Sequence, residues 1–268
     1  MINNIHFGGG GFGVLGYIGV LNYFEKCNHI QSNYNISGTS AGAVFAFLIC
    51  IGCKSSELIE IFTPDVLKSI LVINSIIDYE RNGNLLDLNF LWKKLEQVCK
   101  SKNYDFYKLT FQELYEKSKR LLNITGTCIL NSKGEGFNVK TFPQMTILKA
   151  LEISTCLPFL LRPIEFNNTF YIDGALSDYI FFKENDIIVA NNISFDRDLS
   201  GTMSTDFIEY VCNLYDAIVS IATTMRYKSN KSIIITSSGL FSSFSNNQFF
   251  QIILDGYEKS ELHFKKNS

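Results

Sequence analysis

Apolar and polar residues alternate over Asn3 to Phe7, apolar positions recur at three- and four-residue spacing from Val14 to Cys27, and alternation returns from Asn33 to Ser37. A period of two marks a strand and a period near 3.6 a helix, so the chain opens strand, helix, strand. The uninterrupted apolar run Val44 to Cys50 then predicts a buried helix. This order implies parallel strands joined by a right-handed crossover, with the loops that follow the strands gathered on one edge of the sheet.

From Thr63 to Lys100 the pattern predicts helix. Pro64 suits a first helical turn, Asp87 is placed to cap, and Leu88, Leu91, Trp92, Leu95 and Val98 form one apolar stripe for the core. Within it, Ile70-Leu71-Val72-Ile73, continued by Ile76 and Ile77, reads either as core or as a lipid-facing surface near the site. Thr110 to Glu113 is a capping box opening a short helix. Leu121 to Leu130 reads as a strand paired, through a turn at Ser132 to Gly136, with Phe137 to Phe142. A helix over Thr146 to Thr155 follows, then a strand from Phe170 that ends in the turn Asp173-Gly174-Ala175. Ile187 to Ala190 and Ser232 to Thr236 are further strands, and Asp206 to Arg226 and Asn247 to Phe264 are amphipathic helices. No repeat or linker interrupts the order, so residues 1–268 read as one domain. The expected fold is a three-layer α/β/α arrangement around a mostly parallel sheet.

The 268 residues carry 24 basic and 26 acidic side chains, a balance that gives no basic footprint for nucleic acid. No apolar run approaches the roughly twenty residues needed to span a bilayer, and the N-terminus lacks the pattern of a secretory signal. Seven cysteines without a regular framework fit a reducing compartment. Cys50 and Cys53 have redox-motif spacing but end an apolar helix and read as core. The Asn35-Ile36-Ser37 acceptor sequence for a glycan falls inside a strand, which also favours a cytoplasmic protein.

The candidate chemistry lies in the two loops that the topology brings together. Gly38-Thr39-Ser40-Ala41-Gly42 matches the Gly-x-Ser-x-Gly nucleophile elbow, a strand-to-helix turn that holds a serine at its apex between two residues without a Cβ. Gly8 to Gly11 follows the first strand and offers bare N–H groups near a helix N-terminus, where a developing anion is favoured. A phosphate cradle is the competing use of such a loop. It lacks the Gly-Lys-Ser/Thr ending of a Walker loop, and the second strand lacks the acidic residue of a dinucleotide fold. An oxyanion hole is the better reading. The elbow comes too early for the ordinary α/β-hydrolase order, and His6, His29 and His263 each read as structural or exposed. Asp173, at a strand end and followed by Gly174, is the favoured carboxylate base, although Asp-Gly alone also signals a turn.

These three motifs, in this order, resemble the patatin-like phospholipase family, which combines a glycine-rich oxyanion loop, a Gly-x-Ser-x-Gly serine and an Asp-Gly-Ala/Gly aspartate. The resemblance extends to Gly16 to Leu21, to Ala150 to Phe159 with Ser154 and Pro158, and to Gly256-Tyr257-Glu258. It implies a lipid acyl hydrolase in which Ser40 is the nucleophile, Asp173 the general base, and the N–H groups of Gly9, Gly10 and Gly11 the oxyanion hole. Gly38, Gly42 and Gly174 support the motifs. No metal or cofactor is expected, the substrate is a membrane or micellar acyl ester, and any membrane contact is peripheral. The chain departs from the family at Phe12, where Lys or Arg is frequent, and at Leu176 to Tyr179, where Asn and Pro are frequent. A lipid-binding protein without turnover and an acyltransferase are the alternative readings on the same fold.

Overall fold

The computed structural model of the chain describes residues 2–70, 72–73, 83–177, 187–193, 207–226, 231–237 and 245–266. The opening elements are β1 (Ile2–Phe7), α1 (Leu15–Lys26), β2 (Ile30–Thr39) and α2 (Ala41–Cys50), in the order expected from the hydrophobic pattern. β1 and β2 are parallel, with Phe7 opposite Gly38, so both glycine-rich loops leave the sheet side by side. Every residue from Ala43 to Cys50 is buried, as a helix that is apolar all round requires.

Among the described residues the further helices are α3 (Ser55–Ile61), α4 (Pro64–Ile70), α5 (Asn89–Ser101), α6 (Phe111–Ser118), α7 (Ile147–Ser154), α8 (Phe207–Arg226) and α9 (Asn246–Lys266). The further described strands are β3 (Val72–Ile73), β4 (Leu86–Asp87), β5 (Leu122–Cys128), β6 (Lys133–Phe137), β7 (Ile164–Phe166), β8 (Thr169–Asp173), β9 (Ile187–Ile193) and β10 (Ser232–Ser237). The main sheet runs β10-β9-β1-β2-β5-β8-β7, with β6 also paired to β5. Its first five strands are parallel, and β6, β7 and β8 add antiparallel pairings. The result is the mostly parallel α/β sheet flanked by helices that the sequence predicts.

The register on β5 positions the site. β6 pairs with residues 124–128 of β5 and so occupies one edge. β2 pairs with 122–125 and β8 with 126–128, so these two share the other edge. β2 arrives parallel and ends at Thr39 opposite Thr125, while β8 arrives antiparallel and ends at Asp173 opposite Gly126. The two strands meet end to end, which brings together residues 133 positions apart in the chain.

α1 and α9 cross at glycines. A Cβ on Gly19 would stand 1.8 Å from the Ile253 carbonyl oxygen, and one on Gly256 would stand 1.9 Å from that of Gly16. The motif-like segments Gly16 to Leu21 and Gly256 to Glu258 are therefore the two halves of one close backbone contact.

Two expectations change. Thr63 to Lys100 is not continuously helical: α4 and α5 flank the short antiparallel pair of β3 and β4. Asp87 ends β4 and is not the N-cap of α5, which begins at Asn89 with Leu88 in the cap position, although Asp87 Oδ1 accepts the Asn89 N–H at 2.8 Å. The hairpin after β5 turns earlier than expected. Ser132 takes a positive φ of 57° and Asn131 Oδ1 accepts the Lys133 N–H. This places Gly134 and Gly136 inside β6, with Phe137 its last residue. The Asp-Gly pair at the end of β8 turns as expected, into a 3-10 turn over Gly174–Leu176. A hairpin precedes it, where Asn167 and Asn168 both adopt positive φ between β7 and β8.

Candidate active site

Ser40 sits between the last residue of β2 and the first of α2 with φ 53° and ψ −129°. A non-glycine residue in this region is strained and is held there by its surroundings. The surroundings are close: a Cβ on Gly38 would lie 2.4 Å from the Gly42 carbonyl oxygen, and one on Gly42 would lie 2.3 Å from that of Gly8. The elbow thus lies directly against the glycine loop. The Ser40 N–H donates to Ser154 Oγ at 2.8 Å, tying the apex to the end of α7.

The Ser40 hydroxyl donates to Asp173 Oδ2 at 2.6 Å. The other carboxylate oxygen, Oδ1, accepts the Ala175 N–H at 2.8 Å. The backbone of Asp173 is fixed as well: its N–H donates to the Cys156 carbonyl, and its carbonyl accepts from Thr127 Oγ1. Gly174 packs against β5, where a Cβ would meet the Thr125 carbonyl oxygen at 2.3 Å. All three motifs meet at Gly9, whose Cβ would fall 3.0 Å from Ala175 Cβ and 3.2 Å from Ser40 Cβ.

Asp173 is fully buried. Burial raises its carboxyl from 3.8 to about 7, against the opposing pull of the Ser40 hydroxyl and the Ala175 N–H. A base in this range is suited to taking and returning a proton near neutrality. On the other side of Ser40, the Gly8 N–H donates to the Val189 carbonyl and the Gly13 N–H to the Gly10 carbonyl. Among the described backbone hydrogen bonds, the N–H groups of Gly9, Gly10 and Gly11 donate to none. They lie next to the serine and near the N-terminus of α2, whose dipole favours negative charge there.

Ser40 and Asp173 open into a cavity of about 110 Å³. Its walls come from the glycine loop and Phe12, from Val44 of α2, from Leu67, Leu86, Leu88 and Leu91, and from Tyr215 and Ile218 of α8. Asp173 is the one charged side chain among the described lining residues. This mostly apolar lining favours apolar groups, each buried methylene of which is worth about 0.8 kcal/mol.

Ser40, Asp173 and Gly9 to Gly11 are thus brought together at the parallel strands' carboxyl ends. The histidines are elsewhere. His6 is buried on β1 with Nδ1 2.7 Å from Ser37 Oγ, and burial lowers its pKa to about 4. His29 stacks on Phe264 at 4.2 Å between ring centroids, and His263 packs edge-on against the same ring. Cys50 and Cys53 are buried free thiols in the core, and Cys27, Cys99, Cys128 and Cys156 are free as well. The side chains of the 70–77 stretch, read as core or as lipid-facing, lie outside the described residues. No described helix is long and apolar enough to cross a membrane.

Two contributors escaped the sequence pattern. Ser154 appears there only as part of a motif-like segment, and Asn191, whose Nδ2 donates to the Gly10 carbonyl oxygen at 3.3 Å, not at all. The available signal for Asn191 was a polar residue continuing the buried strand Ile187 to Ala190.

A family model described as patatin-like phospholipase matches residues 5–185, a span that contains all three motifs. Over 162 residues the chain is 32% identical to a probable lipid hydrolase, 463L, of Invertebrate iridescent virus 6, covering 59% of this chain and 54% of that protein. It is 28% identical over 242 residues to the uncharacterized protein R571 of Acanthamoeba polyphaga mimivirus, covering 85% of this chain and 77% of that one. The fold is similar to that of VipD from Legionella pneumophila, with a TM-score of 0.60 at 15% identity over 99% of this chain and 67% of that chain.

Proposed function

Because the chain belongs to the patatin-like phospholipase family, we propose that it is a lipid acyl hydrolase in which Ser40 and Asp173 act as a catalytic dyad. The observation that carries this reading is the 2.6 Å hydrogen bond from the Ser40 hydroxyl to a buried carboxylate at an apolar cavity. The viral relative named as a probable lipid hydrolase supports the same class of substrate.

The acyl chain of an ester lies in the cavity, and its carbonyl oxygen rests against the N–H groups of Gly9, Gly10 and Gly11. Asp173 takes the Ser40 proton as Oγ attacks the carbonyl carbon. The negative charge that forms on the carbonyl oxygen is held by the three N–H groups and the α2 dipole. When the tetrahedral intermediate collapses, the C–O bond to the alcohol breaks and Asp173 returns its proton to the departing oxygen, leaving Ser40 acylated. Water then gives a proton to Asp173, adds to the acyl carbon, and displaces Ser40 Oγ, which recovers that proton. The fatty acid leaves. The base is a carboxylate and the donors are backbone amides, so the scheme requires no metal or cofactor.

The six described thiols are free, which fits residence in a reducing compartment such as the cytoplasm, with transient contact to membrane or micellar lipid. Incubating the protein with a mixed-lipid substrate tests the proposal. Fatty acid should be released, and Ser40→Ala and Asp173→Asn should each stop the release. Release that survives both substitutions in folded protein would refute the dyad. Transfer of the acyl group to added lysolipid without fatty-acid release would make the protein an acyltransferase instead.

A further inference from the structure

We infer that Asn191 is a positioning residue for the oxyanion loop: its side-chain amide holds the Gly10 carbonyl and thereby aims the Gly11 N–H at the reacting ester. β9 outruns its neighbour β1, which ends at Phe7 opposite Val189. Two residues farther on, Asn191 therefore faces the glycine loop, and its side chain is fully buried there.

The contact is direct. A Cβ on Gly10 would stand 2.5 Å from Asn191 Cβ, and one on Gly13 would stand 2.2 Å from Asn191 Nδ2. Nδ2 donates to the Gly10 carbonyl oxygen at 3.3 Å and to Ser237 Oγ at 3.0 Å, which uses both of its hydrogens. The Gly10 carbonyl is an acceptor only, and this fixes which end of the amide faces it. The same carbonyl also accepts the Gly13 N–H at 3.0 Å.

In a planar trans peptide the C=O and the following N–H point in opposite directions. Pinning the Gly10 oxygen toward Asn191 therefore turns the Gly11 N–H away from it, to the side of the loop where Gly11 and Ser40 line the cavity. Gly11, with φ 52°, is free to adopt the backbone this demands.

The amide carries a penalty that argues against a purely structural role. Asn191 Oδ1 is buried and has no hydrogen-bond partner among the described residues, and an unsatisfied buried acceptor destabilises the fold. Leucine, of similar size, would remove that penalty. It would also remove the donor to Gly10.

The inference rests on the reading of Ser40 as nucleophile, so wild type and Ser40→Ala are assayed alongside. Turnover by folded Ser40→Ala would refute that reading, whereas failure of the Asn191 role shows only in the Asn191 variants. Removing one oxyanion donor outright lowers kcat by about 100- to 1000-fold. Asn191→Leu, which misaims one donor, should lower kcat on a soluble short-chain ester by about 10- to 100-fold with KM changed less than about twofold. The variant should stay folded, since the relieved Oδ1 penalty offsets part of the loss of the bonds to the Gly10 carbonyl and Ser237 Oγ. Asn191→Asp supplies the second readout, and it decides the matter if the leucine variant does not fold. The ionised carboxylate repels the Gly10 oxygen, while the protonated acid donates to it. Its kcat relative to wild type at the same pH should rise as pH falls, whereas the leucine ratio stays flat. Wild-type kcat in Asn191→Leu, or an Asn191→Asp ratio that does not change with pH, would overturn the inference.

Discussion

Replacing Asp173 by asparagine should yield a protein that loses turnover yet is more stable than wild type above neutral pH. The carboxyl is fully buried and its pKa is raised from 3.8 to about 7. Through proton linkage that gap corresponds to a penalty on the order of 4 kcal/mol for keeping the ionised form folded. Between the two values the folded protein retains a proton that the unfolded chain has released. Stability therefore falls as pH rises through this window and levels off above it. His6 acts in the opposite sense. Held neutral by burial with a pKa near about 4, it loses stabilising effect as pH falls from the ordinary histidine value toward that point. The two slopes oppose each other in wild type, but His6 is present in both proteins, so the difference between them isolates Asp173. Urea denaturation of wild type and Asp173→Asn from about pH 5 to about pH 9 measures that difference. The curves should approach each other at the acid end. At the alkaline end the variant should be more stable by up to the full penalty, less what asparagine forfeits in bonds to Ser40 and Ala175. A stability difference independent of pH would refute the reasoning.

Activity should decline as pH falls through about 7, because protonated Asp173 cannot accept the Ser40 proton. That profile imitates a histidine base, so His29→Ala, His263→Ala and His6→Asn should each retain both the activity and the profile. Gly42→Ala should destabilise the protein by at least ~1–3 kcal/mol in chemical denaturation, since its Cβ would meet only backbone, the Gly8 and Phe7 carbonyl oxygens at 2.3 and 2.4 Å. Iodoacetamide applied to the native protein should alkylate Cys27 first among the described thiols, as read by peptide mass spectrometry. Cys27 is exposed and the other five are buried, with burial raising Cys50 and Cys53 to about 11 and Cys99 and Cys156 to about 12.

The parts legible in the sequence are those where one residue type answers one local demand. Strand and helix periods place β1 and α1, the unbroken apolar run Val44 to Cys50 places α2, and glycine on both sides of Ser40 marks a turn too tight for side chains. Topology then put Gly8 to Gly11 beside Ser40, and at Gly9 a Cβ would fall 3.2 Å from Ser40 Cβ. The hairpin turn was misplaced because Gly134 and Gly136 resemble turn residues, whereas Asn131 and Ser132 make the turn. The pair β3 and β4 was hidden because two-residue strands leave no periodic trace. The end-to-end meeting of β2 and β8 on one edge of β5 depends on register between distant segments. Asn191 was invisible for the same reason, since its partner in the loop is 181 residues away.

The most direct test of the dyad is the reaction of the native protein with a fluorophosphonate, followed by intact mass and peptide mapping. One equivalent should attach at Ser40, Asp173→Asn should label far more slowly, and Ser40→Ala should not label. A folded wild-type protein that stays unlabelled, or that labels at a serine other than Ser40, would contradict the assignment.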